Sequence, residues 1–330
     1  MTTMRAWQVT RLGEPREALA AVDIEVPEPG PGSLLVRVLG AAANFPDVLM
    51  CRGEYQVKPP LPFTPGVELC GEVVATGEGV TSFAVGDRVL GGARLPHGGF
   101  AELAVMDEAT TFPAPAGLDD AEAASLFIGY QTGWFGLHRR AAIKAGETLL
   151  VHAAAGGVGS AAIQLGKAAG ARVIGVAGGP RKAAYARELG ADVVVDRHEQ
   201  DFVEVVKAET GGRGADVIYD PVGGQTYQRS TKCVAFEGRI VVVGFAGGEI
   251  QSAALNHALV KNYSILGLHW GLYSQRDPAS VAACHRELTR LVEDGLIRPF
   301  VSERLPLDEL PDGLQRLGDG DTVGRLVVVP

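Results

Sequence analysis

Cysteine is scarce in this chain of 330 residues. Cys51, Cys70, Cys233 and Cys284 stand far apart and form no CxxC pair. Neither a disulfide framework nor a zinc knuckle is therefore expected. Long apolar runs are missing too. No stretch of ~18 apolar residues escapes interruption by charges or glycine clusters, so no membrane span is expected. The first twenty residues lack an apolar core followed by a small-residue cleavage site, and no secretory signal is expected. In the cytoplasmic setting this implies, the sequon Asn262-Tyr263-Ser264 stays unglycosylated. Positive charge is in deficit, with 30 Lys and Arg against 39 Asp and Glu and a net charge of −9. That balance argues against non-specific binding to nucleic acid or to an anionic membrane. It leaves room for a local basic pocket that takes a small anion. Internal repeats and low-complexity segments are also absent.

What is present is a globular composition. Hydrophobic residues make up 46% and charged residues 21%, and the length suits about two domains. The first third reads as β-rich, with short strands at 34–38, 72–75, 88–90 and 98–105 punctuated by proline and glycine. The character changes near Asp119, where 121–126 and 132–140 read as helices. From Thr148 onward, apolar strands alternate with amphipathic helices. The strands fall at 148–152, 172–176, 193–195, 217–220, 240–244 and 265–268. The helices fall at 158–169, 180–189, 202–209, 227–235 and 255–261. Strand–helix alternation at this spacing predicts an α/β domain with a doubly wound parallel sheet. A helix at 279–293 and a strand at 325–329 close the chain. They are too few for a domain and are expected to pack back onto the first one.

The loop His152-Ala153-Ala154-Ala155-Gly156-Gly157-Val158-Gly159 follows the first of these strands and opens a helix. This is the position of a dinucleotide fingerprint, with Ala154 in place of its first glycine. Gly156 lets the backbone approach a pyrophosphate, and Gly159 lets the helix pack on the sheet. The helix start at Gly157 and Val158 offers free N–H groups and a positive dipole end. An NAD site carries an acid at the end of the second strand, where it bonds the ribose 2′-hydroxyl. Here the chain reads Ala177-Gly178-Gly179-Pro180-Arg181-Lys182, with no acid and two cations. Lys182 and Arg181, with Arg197 after the third strand, suit a 2′-phosphate, which favours NADPH. Thr132, read as opening the 132–140 helix, is a candidate contact to a phosphate or to the nicotinamide ribose. His152 reads as a core histidine, and His198 lies in no HExxH pattern.

Several segments carry a family resemblance. They are Ala43-Asn44-Phe45-Pro46-Asp47, Arg52-Gly53-Glu54-Tyr55, Pro65-Gly66-Val67-Glu68, Gly86-Asp87-Arg88-Val89 and Gly267-Leu268-His269-Trp270-Gly271. Together with the glycine loop they resemble, in order and over almost the whole chain, the zeta-crystallin-type quinone oxidoreductases. These belong to the medium-chain dehydrogenase/reductase superfamily. The resemblance implies a Rossmann domain, 127–266, inserted into a GroES-like β-rich catalytic domain formed by 1–126 and the return 267–330. It also implies an active site in a cleft between them. Zinc-dependent members hold their metal at positions that correspond to Asn44, Val67 and the neighbourhood of Ile128 and Gly129. Asn, Val and Ile do not make a thiolate–imidazole site, so no metal is expected. Glu68 is left with a packing or hydrogen-bonding role.

By the same resemblance Asn44, Asp47 and Tyr55 line the nicotinamide end of the cleft. Asn44 would orient the substrate carbonyl or the nicotinamide ribose. Tyr55 would donate to the reduced oxygen or stack on a flat quinone, and Asp47 would hold the network. Gly244 and Phe245 would meet the nicotinamide, and Leu268 and Trp270 would wall the pocket. Without a Lewis acid, reduction of a quinone or an enone is the coherent chemistry, because hydride addition leaves a delocalised oxyanion. The expected activity is hydride transfer from NADPH to a quinone or an α,β-unsaturated carbonyl. An enoyl-thioester reductase and a non-enzymatic NADPH-binding protein stay open as alternatives, and a zinc alcohol dehydrogenase is the weakest reading. A homodimer is expected through edge-to-edge pairing of strand 265–268 with its copy.

Overall fold

Glycine and proline at short intervals break the first third of the chain into bent strands, and apolar alternation closes them on themselves. The computed structural model describes residues 2–330. The chain divides into two units. One comprises Met1–Ile128, Pro278–His285 and Arg298–Pro330; the other comprises Gly129–Asp277 and Arg286–Ile297. Against the expected return at residue 267, the change of unit falls at Pro278.

The first unit begins with β1 (Thr3–Val9), α1 (Pro15–Ala18), β2 (Leu19–Glu25), β3 (Ser33–Ala42) and α2 (Phe45–Arg52). It continues with β4 (Glu68–Thr76), β5 (Arg88–Ala93), β6 (Leu103–Pro113) and α3 (Asp120–Ala124). Strand β3 pairs antiparallel with β4 and also with β6, and β4 and β6 each pair with β5. These pairings close a four-stranded barrel without a free edge. Val36, Val38, Leu69, Val73, Val89, Phe100, Ala104 and Met106 fill it.

The second unit carries α4 (Phe127–Trp134) from Gly129 onward, then a π-helical turn at Phe135–Arg140. Next come β7 (Thr148–Val151), α5 (Gly157–Ala168), β8 (Arg172–Ala177), α6 (Pro180–Glu188), β9 (Val193–Asp196) and α7 (Phe202–Glu209). The unit goes on through β10 (Ala215–Asp220), α8 (Gly224–Ser230), β11 (Val234–Val242), α9 (Leu255–Lys261), β12 (Ser264–Gly267) and α10 (Gly271–Arg276). Helix α11 (Pro278–Glu293) is divided between the units, and the first unit ends with β13 (Val301–Pro306), α12 (Leu310–Gly318) and β14 (Arg325–Val329). Strand β14 pairs with β3 and extends the barrel sheet, with β13 alongside in parallel.

The sheet of the second unit is parallel throughout, in the order β12-β11-β10-β7-β8-β9. Such a sheet is covered on both faces, so its strands read as apolar runs. Leu149, Leu150, Val151, Val173, Ile174, Val217, Ile218 and Ile240 have no exposed surface. The order reverses between β7 and β10, which makes that point the switch of a doubly wound fold.

Four predicted elements depart from the sequence reading. The strand expected at 98–105 is β6, which starts only at Leu103 because Gly98, Gly99 and Phe100 bond the 64–66 backbone instead. The helix expected at 227–235 is α8, ending at Ser230, because Val234 is already paired with Ala215 of β10. Strand β11 then stops at Val242, and residues 243–244 belong to the following loop. The helix expected to open at Thr132 starts five residues earlier, at Phe127. Its first turn is capped from outside by the Glu68 carboxylate, which accepts from Ile128 N at 2.7 Å. A negative charge at a helix start is favourable, and no local residue announces it. Thr132 is therefore a buried residue inside α4 rather than its opening residue. No helix among the described residues is long and apolar enough to cross a membrane.

Candidate active site

In a parallel sheet every strand delivers its loop to the same edge. Apart from Thr132, each residue singled out in the second unit for a cofactor lies just beyond the carboxyl end of one of the six strands. Gly156, Gly157, Val158 and Gly159 follow β7, Gly178 follows β8 and Arg197 follows β9. Gly244 and Phe245 follow β11, and Leu268 and Trp270 follow β12. That edge, at the switch point, is where open α/β sheets bind ligands.

The loop after β7 turns through Ala153, whose φ of 48° is the left-handed conformation that favours glycine, one residue before the fingerprint's first position at Ala154. Ala154 is buried, and its N–H bonds Val176 O of β8 at 2.9 Å. Gly156 is the N-cap of α5. A Cβ on Gly159 would run into the carbonyl oxygen of Ala153, so only glycine lets the helix start this close to the loop. The first N–H groups of α5 have no partner within the helix and form a cradle for an anion.

Arg197 lies against Gly178. A Cβ there would sit 2.7 Å from the guanidinium Nε. Asp196 is the nearest acid, at the end of β9 rather than β8. Its carboxylate accepts from Gly179 N at 2.9 Å and His198 N at 3.1 Å, and these backbone bonds hold its pKa below the usual range. The acid is thus turned toward amides, while Arg197 covers the glycine. Lys182 sits half-buried in the first turn of α6.

On the next two loops, Ala246 N bonds Pro221 O at 3.0 Å and Gly247 N bonds Val222 O at 2.9 Å. This brings Gly244 beside the loop after β10, and the Phe245 ring against Gly223. Leu268 is buried with its N–H on Val242 O at 3.0 Å, and Trp270 Nε1 donates to the buried Gln131 at 3.3 Å. His152 is a core histidine. Ser230 Oγ donates to Thr226 O, so His152 Nε2 carries the proton and donates to Ser230 Oγ at 2.8 Å. Burial holds its pKa down at about 4.

In the first unit, Asn44, Asp47 and Tyr55 gather around α2. Asp47 is completely buried and works as a clamp. One carboxylate oxygen accepts from Asn44 N at 2.9 Å; the other accepts from Gly66 N at 2.9 Å and Val67 N at 3.3 Å. Burial nevertheless pushes its pKa up to about 6. Tyr55 is half-buried against the barrel core. Burial, followed by the Asp47 charge, raises its hydroxyl pKa, so at neutral pH it is a donor.

Asn44 is the centre of a buried network that reaches the last strand. Its Nδ2 donates to Ala42 O at 3.0 Å and to Glu68 at 2.9 Å. Its Oδ1 accepts from Arg325 Nη1 at 3.0 Å, and Arg325 Nη2 donates to Glu68. Glu68 has no exposed surface and Arg325 only 4%. The sequence reading gave Glu68 a hydrogen-bonding role but missed Arg325. The available signal was a single charge heading an otherwise apolar strand, Arg325-Leu326-Val327-Val328-Val329.

The alcohol dehydrogenase GroES-like domain family matches residues 30–116, and the zinc-binding dehydrogenase family matches residues 157–285. Positions 44, 67 and 128 hold Asn, Val and Ile, and the Asn44 carboxamide and Glu68 already serve each other and Arg325. Among the described residues no group of three His, Cys, Asp or Glu side chains is placed to hold a metal. The chain is 36% identical over 336 aligned residues to the quinone oxidoreductase-like protein 2 of Mus musculus, covering 98% of this chain and 94% of that one. The quinone oxidoreductase of Escherichia coli, solved with NADPH, superposes with a TM-score of 0.91 at 30% identity, over 99% of this chain and all of that one. The quinone oxidoreductase of Pseudomonas syringae pv. Tomato gives 0.90 at 33% identity, again over 99% and 100%. The closed β-barrel, the parallel sheet with its glycine loop, and these similarities agree: the chain belongs to the quinone oxidoreductase family of the medium-chain dehydrogenase/reductase superfamily.

Proposed function

We propose that the protein is a zinc-independent reductase that transfers a hydride from NADPH to a quinone or to an α,β-unsaturated carbonyl. The observation that carries this reading is the strand edge at the switch point. There a glycine-only helix start at Gly159 lies one strand away from a glycine, Gly178, covered by the Arg197 guanidinium. The residues fit a dinucleotide. The N–H groups at Gly157, Val158 and Gly159 suit the pyrophosphate, and Arg197 with Lys182 suits the 2′-phosphate. NADPH supplies the hydride when bound. Phe245, Leu268 and Trp270 would shield the nicotinamide from water, with Thr132 as a further contact from α4.

Asn44, with both amide hydrogens already given, would accept from the nicotinamide ribose. Tyr55 would donate to the oxygen that gains charge, a role supported by its raised pKa. Asp47 would hold α2 to the 66–67 backbone behind them. A delocalised oxyanion needs no more than such hydrogen bonding, which is why quinones and enones, rather than simple ketones, are the substrates proposed. We also assign a second copy of the chain as partner, through the exposed edge of β12, and a cytoplasmic location. The buried free thiols of Cys51, Cys70 and Cys233 support the latter.

The test is optical. NADPH and NADH oxidation are followed in chelator-treated buffer with a small quinone, a polycyclic quinone and an enone as acceptors. Turnover with NADPH that survives chelation, at a kcat/KM at least about tenfold above that with NADH, is the expected result. Loss of turnover on chelation, or equal use of both cofactors, contradicts the reading.

A further inference from the structure

The Asn44 carboxamide can be oriented in only one way. Both Nδ2 hydrogens are spent, on Ala42 O and on Glu68, and Oδ1 faces the Arg325 guanidinium. A flipped amide would set NH2 against a guanidinium and oxygen against both a carboxylate and a carbonyl. Every contact would then oppose like with like inside a buried cluster. Glu68 is itself fixed, since it also accepts from Ile128 N at 2.7 Å. Arg325 is fixed by β14, where its own N–H bonds Phe300 O at 3.2 Å. Oδ1 carries the hydrogen bond from Arg325, and its other lone pair lies at the start of α2, where Asn44 and Asp47 form a capping box.

We propose that Arg325, acting with Glu68, is a positioning residue that locks Asn44 as an acceptor. Asn44 then receives a hydrogen bond from a hydroxyl or N–H of the bound molecule and never donates to the oxygen being reduced. The proposal deepens the functional reading above and rests on it for the identity of that molecule, but the lock belongs to the free protein. It narrows the acceptor class. With Asn44 unable to donate, stabilisation of the reduced oxygen falls to Tyr55 and solvent, which suffices for an oxyanion spread over a conjugated system.

The lock can be read without any cofactor. Asparagine occurs only at positions 44, 256 and 262, and the last two are exposed. Selective 15N-asparagine labelling therefore yields three side-chain NH2 pairs. One of them is expected to exchange with solvent about a hundredfold more slowly than the others. Arg325→Met should bring that pair to within about tenfold of the exposed two, and Arg325→Lys should restore much of the protection. Three fast pairs in the unsubstituted protein, or full protection kept in a folded Arg325→Met chain, would overturn the lock.

A second variant keeps the proposal testable should Arg325→Met fail to fold. Asn44→Ala removes the carboxamide and leaves the Arg325–Glu68 pair in place. NADPH affinity, read by tryptophan quenching, is expected to fall by about tenfold, with kcat falling less than affinity. A loss of about a hundredfold in kcat with affinity retained identifies Asn44 as a donor to the reacting oxygen and refutes the proposal. If the unsubstituted protein binds no NADPH yet shows the protected amide, the functional reading fails while the lock stands.

Discussion

At the scale of single residues, two side chains have consequences open to direct measurement. Arg197 covers Gly178 and has no phosphate-independent reason to favour one cofactor. Arg197→Ala should raise KM for NADPH by about tenfold or more, a charge-assisted contact being worth roughly 1.5–3 kcal/mol, and leave the NADH value almost unchanged. An equal rise for both cofactors would remove Arg197 from the 2′-phosphate. His152 gives a pH signature. Its folded pKa of about 4 lies below its ordinary value of 6.5, so between those limits the unfolded chain binds the extra proton. Stability from this group is present above pH 6.5 and is lost as pH falls to 4, by about 3 kcal/mol at most. Asp47 acts in the opposite sense between 3.8 and 6, because its folded pKa is raised, and partly masks the trend. The comparison with His152→Gln isolates the histidine, since glutamine retains a donor for Ser230. Urea unfolding across pH 4–7 should give curves that converge as pH falls; parallel curves would show that His152 is not buried neutral.

At the scale of elements, legibility followed locality. Strands β7 to β12 and their loops could be read because a parallel sheet writes apolar runs into the sequence and its loops must supply glycine where backbones meet. The start of α4 could not, since its cap is a carboxylate sixty residues away on β4. Thr132 was misplaced for that reason. The roles of Asn44 and Arg325 were hidden likewise. The residue identities at 44 and 68 are visible, but their hydrogen-bond partner arrives from β14, at the far end of the chain. Nothing local announces a contact of that separation. Glu68 thus joins β4, α4, α2 and β14, and its loss should be felt as an element-scale defect. Glu68→Gln would turn an amide hydrogen toward another donor and leave Arg325 buried without its counter-charge. A cost of about 3–5 kcal/mol in urea unfolding is expected. A cost below about 1 kcal/mol would mean that water reaches the cluster.

At the scale of the whole molecule, α9 poses a physical question. It has seven residues, none of them buried, and Leu255, Leu259 and Val260 each leave more than 70% of their surface exposed. A helix this short is marginal in water by itself, and three large apolar side chains on one short element exceed the scatter normal at a surface. The adjoining strand, β12, is the edge of the sheet and among the described residues pairs only with β11, which leaves a row of backbone donors and acceptors open to another strand. The proposed pairing of two copies about a two-fold axis beside β12 would account for both features: the strand would meet its own copy antiparallel, and the same contact would cover the apolar helices. Leu259→Glu places a charge in that contact without touching the core. In sedimentation at micromolar concentration the unsubstituted chain should run at twice its 34.5 kDa. The variant should run near the single-chain mass, with an unchanged circular dichroism spectrum. A variant that stays at the higher mass would move the interface elsewhere. An unsubstituted chain that sediments as a monomer would leave α9 to be stabilised by its own sequence, which its length argues against.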